Sequence, residues 1–312
     1  MKKICIFLFT GTGMTAYVID KLKSELETKQ HEVDVFLIED TRAEQLSYEN
    51  YDGIGLAFPV HSFNAPEIVM KFVKKLPEWR NKRDQSNDPE PGKAFIINVT
   101  GEVSPMNAAA TKYVRRRLGK KGFKVIFDRQ LAMAPNFMVK YDEKKLKNSL
   151  KNIKEQIPEA ADDLLQALES FDDTDFESSK KNNSESNIEN DVVTSAEHKK
   201  ALNSEVGFAA KALTFFGRAE WPGAKLMGKF LRIDKSCSDC GICINYCPNR
   251  NIVKGKKGIK FKMHCGLCMR CLFICPSKSI KVRRPFRFID FDSWYDNDEL
   301  KILKNISKKS GY

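Results

Sequence analysis

At 312 residues the chain is long enough for two domains, each with its own core. Its 42% hydrophobic and 30% charged residues are the composition of an ordinary folded protein, which excludes wholesale disorder and a fibre. The formal net charge of +12 is unevenly spread, with 18 Lys+Arg against 7 Asp+Glu between Arg232 and Tyr312.

The chain opens with two lysines and a short apolar run, Lys3–Phe9. That order resembles the front of a secretory leader, but the run is short and leads into a Gly/Thr loop, not a small-residue cleavage site. It is predicted to be a buried first strand, and the protein to be cytoplasmic. No apolar run approaches the ~18 residues of a spanning helix, so no transmembrane segment is expected. Helical spacing follows at Tyr17–Leu26, then strand-like Val33–Ile38 and Gly53–Phe58, and a helix over Ile68–Leu76. Ala94–Val99 reads as a strand, Ala108–Leu118 as a helix, Phe123–Phe127 as a strand ending near Pro135, and Tyr141–Leu168 as a long, largely polar helix. Strands alternating with helices predict a doubly wound, mostly parallel sheet of about five strands covered on both faces.

Asn81–Gly92 is polar and proline-containing and reads as a surface loop. Asp172–Asp191 is rich in Ser, Asn, Asp and Glu and reads as a flexible linker. Two short helices, Ala196–Phe216 and Trp221–Phe230, are expected before the cysteines. The predicted organisation is therefore an α/β domain over 1–170, a linker with short helices over 171–231, a cysteine domain over 232–290 and a tail over 291–312.

Eight of the nine cysteines fall between Cys237 and Cys275. Disulfides would need a secreted context, so metal ligation is expected instead. The first segment is Cys237-Ser-Asp-Cys240-Gly-Ile-Cys243-Ile-Asn-Tyr-Cys247-Pro248. Its landmarks recur 28 positions later at Cys265, Cys268, Cys271, Cys275 and Pro276, and again from Ile252 to Ile280, which marks an internal duplication. Closely spaced thiolates can wrap one face of a cubane, with small residues letting backbone N–H groups approach the sulfurs. A tetrahedral zinc site from Cys240/Cys243 with Cys265/Cys268 is the alternative, but it needs neither the fourth cysteines, the prolines nor the duplication. The spacing C-x2-C-x2-C-x3-C-P resembles bacterial two-cluster ferredoxins over about fifty residues. The resemblance implies two [4Fe–4S] clusters, one on Cys237, Cys240, Cys243 and Cys275, the other on Cys265, Cys268, Cys271 and Cys247. Each oxidised cluster carries about −2, so two would offset about a third of the local basic excess. Cys5, on the first strand, reads as an inert buried thiol.

Strand one runs into Thr10-Gly11-Thr12-Gly13-Met14-Thr15, which opens a helix. Hydroxyls and glycine-freed amides at a helix N-terminus suit a phosphate. The loop lacks the lysine of a P-loop and the G-x-G-x-x-G dinucleotide pattern. It resembles the phosphate loop of flavodoxins, with Met14 in place of the usual Asn, and that resemblance assigns Thr10, Gly11, Thr12, Gly13, Met14 and Thr15 to an FMN phosphate.

A second stretch follows the third strand: Phe58-Pro59-Val60-His61-Ser62-Phe63-Asn64-Ala65-Pro66. With Thr100-Gly101 and Met133-Ala134-Pro135-Asn136-Phe137 it resembles the ferrodoxin family, in which a flavodoxin-like domain is fused to a two-cluster ferredoxin. The resemblance implies an α/β flavodoxin-like doubly wound sheet plus a small α+β ferredoxin-like domain. Ring contacts would come from Phe58, Pro59, Val60, His61, Ser62, Phe63, Asn64, Thr100 and Gly101. Phe58 reads equally as strand-end core, and His61 as a plain loop residue.

The expected role is electron transfer between FMN and two [4Fe–4S] clusters, joining one- and two-electron carriers, with redox proteins of acidic surface as partners. A flavin-dependent reductase of a small substrate, fed by the clusters, is the competing reading. The basic run Lys281–Arg287 has only one interleaved aromatic, Phe286, and no nucleic-acid motif, so no nucleic acid is expected.

Overall fold

The computed structural model describes residues 1–79, 90–101, 104, 107, 109–133, 143–170, 212–217, 220–256 and 258–282. The linker expected over Asp172–Asp191, most of the loop expected over Asn81–Gly92, Ala134–Phe137 and Arg283–Arg287 lie outside them.

The first half is a five-stranded sheet of β1 (Lys3–Leu8), β2 (Glu32–Leu37), β3 (Gly53–Pro59), β4 (Gly92–Thr100) and β5 (Phe123–Ala132). The strand order is β2-β1-β3-β4-β5, and every pairing is parallel. That order is flavodoxin-like, with its switch point between β1 and β3, where ligands of such sheets bind beyond the strands' carboxyl ends.

β1 alternates between two cores. Ile4, Ile6 and Leu8 face helices α1 (Met14–Thr28) and α4 (Glu143–Ser170), while Cys5, Phe7 and Phe9 face α2 (Glu67–Lys75) and α3 (Lys112–Gly119). Both faces being buried explains why the strand reads as one apolar run. In α4, Ile153, Ile157, Ala161, Leu164 and Leu168 recur at three- and four-residue steps and form the stripe that packs on the sheet.

β5 continues past the apolar run Phe123–Phe127 to Ala132, close to the end expected near Pro135, and α3 starts at Lys112, four residues after the expected start. One group of side chains accounts for both. Asp128, in the extra part of β5, is fully buried and accepts hydrogen bonds from Thr111 Oγ1 at 2.5 Å and Asn98 Nδ2 at 3.3 Å. Arg115 Nη1 stands 3.5 Å from the same carboxylate. Residues 109–111 form turns that bring Thr111 onto Asp128.

The second half is built from α5 (Glu220–Gly228), β6 (Leu231–Ile233), α6 (Ile242–Asn245), β7 (Ile252–Gly255), β8 (Gly258–Phe261), α7 (Arg270–Phe273) and β9 (Ile280–Val282). β6 pairs antiparallel with β9, and β7 with β8. Its small core joins Leu231, Ile252, Leu272, Ile280 and Val282 to Ala224 of α5. The 28-residue repeat is visible in the backbone. Left-handed conformations occur at Asp239 and Leu267, at Gly241 and Met269, and at Arg250 and Lys278.

The segments preceding the cysteines join the halves. Residues 212–217 are helical, and Thr214 meets the loop after β3: its hydroxyl donates to Phe63 O at 3.0 Å, and Asn64 Nδ2 donates to Thr214 O at 2.6 Å. α5 packs on the cysteine core, and its Lys225 Nζ lies 3.3 Å from Glu67 of α2. Among the described residues no helix is long and apolar enough to cross a membrane.

Candidate functional site

α1 begins at a glycine. Gly13 holds φ 99°, its amide donates to Thr10 Oγ1 at 3.2 Å, and no acidic residue occupies the first turn of the helix. Only a residue without Cβ adopts that angle without strain. The helix N-terminus therefore presents amides with no carboxylate of its own to neutralise them, an arrangement that accepts a dianionic phosphate. A cavity opens there, walled by Thr10, Gly11, Thr12, Met14 and Thr15, by Pro59, Val60 and His61, and by Thr100 and Gly101.

The other expected contacts fall elsewhere. Phe58 is fully buried in the core shared with α2 and α3 and does not line the cavity. Ser62, Phe63 and Asn64 lie just beyond its wall, in a tight turn closed by mutual His61–Asn64 backbone bonds of 2.8 Å. Both central residues of that turn, Ser62 and Phe63, have positive φ (43° and 62°), which costs about 1–3 kcal/mol each in non-glycine residues. Burial pushes the His61 imidazole down to about 4, so it is neutral near pH 7. Cys5 is buried and its thiol is held well above its ordinary value, first by burial and then by Asp34 nearby.

The eight clustered cysteines separate into two foursomes. Cys237, Cys240, Cys243 and Cys275 line one cavity, and Cys247, Cys265, Cys268 and Cys271 line another. The fourth cysteine of each segment thus sits with the first three of the other. The duplication extends to the bonds made by sulfur. Amides of Asp239 and Leu267 donate to Cys237 and Cys265 at 3.4 Å, and those of Asn251 and Ser279 donate to Cys247 and Cys275 at 3.2 and 3.4 Å.

Burial pushes Cys243 up to about 11, with Cys275, Cys237 and Cys240 adding to the effect, and pushes Cys268 up to about 12. At Cys275 burial acts in the same direction, but hydrogen bonds from Ser279 and Ser277 outweigh it and lower the thiol. Thiols raised as at Cys243 and Cys268 fit a group that would bring its own cationic iron and ionise them as it binds. The cross-segment zinc arrangement is not formed, because Cys240/Cys243 and Cys265/Cys268 lie in different cavities. Among the described residues no group of three or more His, Cys, Asp or Glu side chains is arranged to hold a single metal ion.

The two halves meet at this site. Leu267, Cys268 and Met269 line both the phosphate-loop cavity and the second cysteine cavity, and so form the partition between them. Next to them Arg270, 2% exposed, donates to Thr10 O at 2.6 Å and to Tyr246 O at 3.3 Å, forms an ion pair with Glu39, and stands over the Phe9 ring at 6.0 Å. Among the described residues its Nε has no hydrogen-bond partner. Sequence reasoning missed this residue. The available signal was a break in the repeat, since the first segment has Ile242 at the equivalent position.

No family model matches the chain, and no curated protein matches it. Solved structures similar to it include a flavodoxin from the domain Archaea, 16% identical over 52% of this chain and 99% of its own, with a TM-score of 0.32. Flavodoxin 1 from Bacillus cereus is 18% identical over 51% and 98%, with a TM-score of 0.33. An FMN-dependent NADH-azoreductase from Bacillus anthracis is 12% identical over 53% and 99%, with a TM-score of 0.36. Likeness at these identities and scores carries no inference of its own, and the flavodoxin-like fold of the first half rests on its strand order.

Proposed function

We propose that the protein is an electron-transfer iron–sulfur flavoprotein, with FMN at the N-terminus of α1 and a [4Fe–4S] cluster in each cysteine cavity. The observation that carries this reading is the shared wall: Leu267–Met269 separates the phosphate-loop cavity from a four-thiol cavity. When bound, FMN holds one or two electrons and each cluster one, so the chain would join one- and two-electron carriers.

Thr10, Thr12, Thr15 and the amides around Gly11 and Gly13 would hold the FMN phosphate. Pro59, Val60, His61, Thr100 and Gly101 would face the rest of the cofactor, with His61 neutral and acting as a hydrogen-bonding group. Cys237, Cys240, Cys243 and Cys275 would hold one cluster, and Cys265, Cys268, Cys271 and Cys247 the other. The organisation follows: a flavodoxin-like unit to about residue 170, and a two-cluster unit in the segment that contains the cysteines. The Lys/Arg excess after Arg232 suits acidic redox proteins as partners. A flavin-dependent reductase fed by the clusters would use the same constellation, and sustained turnover of a small substrate at catalytic protein levels distinguishes it from a carrier.

Cofactor analysis of anaerobically purified protein tests the proposal. About eight iron, eight sulfide and one FMN per chain are expected. Clusters without flavin would reduce the first half to a scaffold, and zinc in place of iron would end the redox reading.

A further inference from the structure

A phosphate loop has to be reached by its phosphate, yet here the second half lies over it. Thr10, Gly11, Gly13, Met14 and Thr15 are all buried. The segment above them is Leu267–Met269, whose closest approach is backbone on backbone: a Cβ at Gly11 would collide with the carbonyl oxygen of Cys268. Arg270 fixes that approach from the side. It ties the carbonyl of Thr10, at the head of the phosphate loop, to Glu39 in the turn that follows β2, and both partners belong to the first half. Glu39 does not line the cavity. The other ion pair joining the halves among the described residues, Lys225 with Glu67, is far more exposed and correspondingly weaker.

We propose that Leu267–Arg270 is a lid on the FMN site, latched by Arg270, and that FMN enters and leaves only when the cysteine module lifts from the phosphate loop. The inference rests on the FMN reading above and adds that one half of the chain gates cofactor exchange in the other. Arg270 is a positioning residue here: it holds the lid down through Thr10 and Glu39.

The test uses the full chain, iron-loaded under anaerobic conditions and charged with radiolabelled FMN, then chased with excess unlabelled FMN. Arg270→Ala should lose label at least tenfold faster than the parent chain, and Glu39→Gln at least threefold faster, although Glu39 touches no part of the cavity. Hydrogen exchange of amides 10–17 should rise in both variants, since lifting the lid exposes them. Unchanged exchange of label would overturn the proposal. Faster label loss with unchanged protection of 10–17 would also overturn it, because Arg270 would then act on the cofactor without any opening. If Arg270→Ala loses its iron, Glu39→Gln alone decides. If the parent chain holds no FMN, the functional reading fails, and the protection of 10–17 in Glu39→Gln decides the latch by itself.

Discussion

Replacing Asp128 by Ala removes the one carboxylate among the described residues that pairs with the buried Arg115 guanidinium, which is 6% exposed, and it takes the acceptor from Thr111 and one of two acceptors from Asn98, whose Nδ2 also donates to Arg129 O. Stranding one member of a buried pair costs about 3–5 kcal/mol. Here Arg115 stands at 3.5 Å without a hydrogen bond from Nη1, which favours the lower end, about 3 kcal/mol. The chain has two cores and need not unfold in one step, so a global melting curve is the wrong assay. Hydrogen exchange of the β4 and β5 amides reports the stability of this sheet directly, and the loss should speed their exchange by about a hundredfold. The charge-free pair Asp128→Leu with Arg115→Met should recover most of the loss, because a buried ion pair is often replaced by apolar side chains at little cost. An acceleration below about threefold in Asp128→Ala, or a double variant no better than the single one, would refute the reasoning.

Three further outcomes are expected. Cys247→Ala should damage the cluster of the second segment, and Cys275→Ala that of the first; iron counts with cluster-resolved EPR check this, and loss from the same segment would overturn the pairing. The His61 ring, with its folded value lowered to about 4 by burial, should show no NMR titration above about pH 5. The same lowering means that protons bind the unfolded chain more readily, so this contribution to stability is complete above about pH 6.5 and lost as pH falls towards 4. His61→Gln should flatten that part of the pH–stability curve, as measured by hydrogen-exchange protection factors of the β3 and β4 amides. Gly11→Ala should weaken docking of the two halves without altering any charge, which cross-linking between them would detect.

What was legible in the sequence follows from the range of the forces involved. β1 and its Gly/Thr loop could be read because a strand buried on both faces is a continuous apolar run, and the turn into α1 needs glycine at Gly13. The two cysteine segments could be read because ligand spacing is local. The end of β5 was marked by Pro135 downstream and not by its own residues: Asp128, Arg129 and Gln130 carry no apolar signal, and their strand character depends on distant partners. Asp128 meets Thr111 and Arg115 of the preceding turn and helix, while Arg129 reaches Asp163 and Glu159 on α4. The positive-φ turn at Ser62–Phe63 carries no glycine to announce it, and the contacts of Thr214 and Asn64 hold it from 150 positions away. Arg270 was hidden for the same reason, with Glu39 and Thr10 lying 231 and 260 positions from it.

The duplication makes the departures of Arg270 and its neighbours interpretable, because the first copy serves as an internal reference. Both copies keep the same left-handed backbone positions and the same amide bonds to sulfur. Their side chains differ where the surroundings differ. The first copy has Asp239, exposed and paired with Lys254, then Gly241 and Ile242, and its Cys240 faces solvent. At the matching positions the second copy has Leu267, Met269 and Arg270, all buried, with the first two walling the phosphate-loop cavity. A freestanding module would gain nothing from burying an arginine, and Met269 pays a left-handed backbone penalty that Gly241 avoids. Both costs make physical sense once the second copy is the face that seats on the phosphate loop. The first copy, with Cys240 exposed, is then the copy that faces solvent.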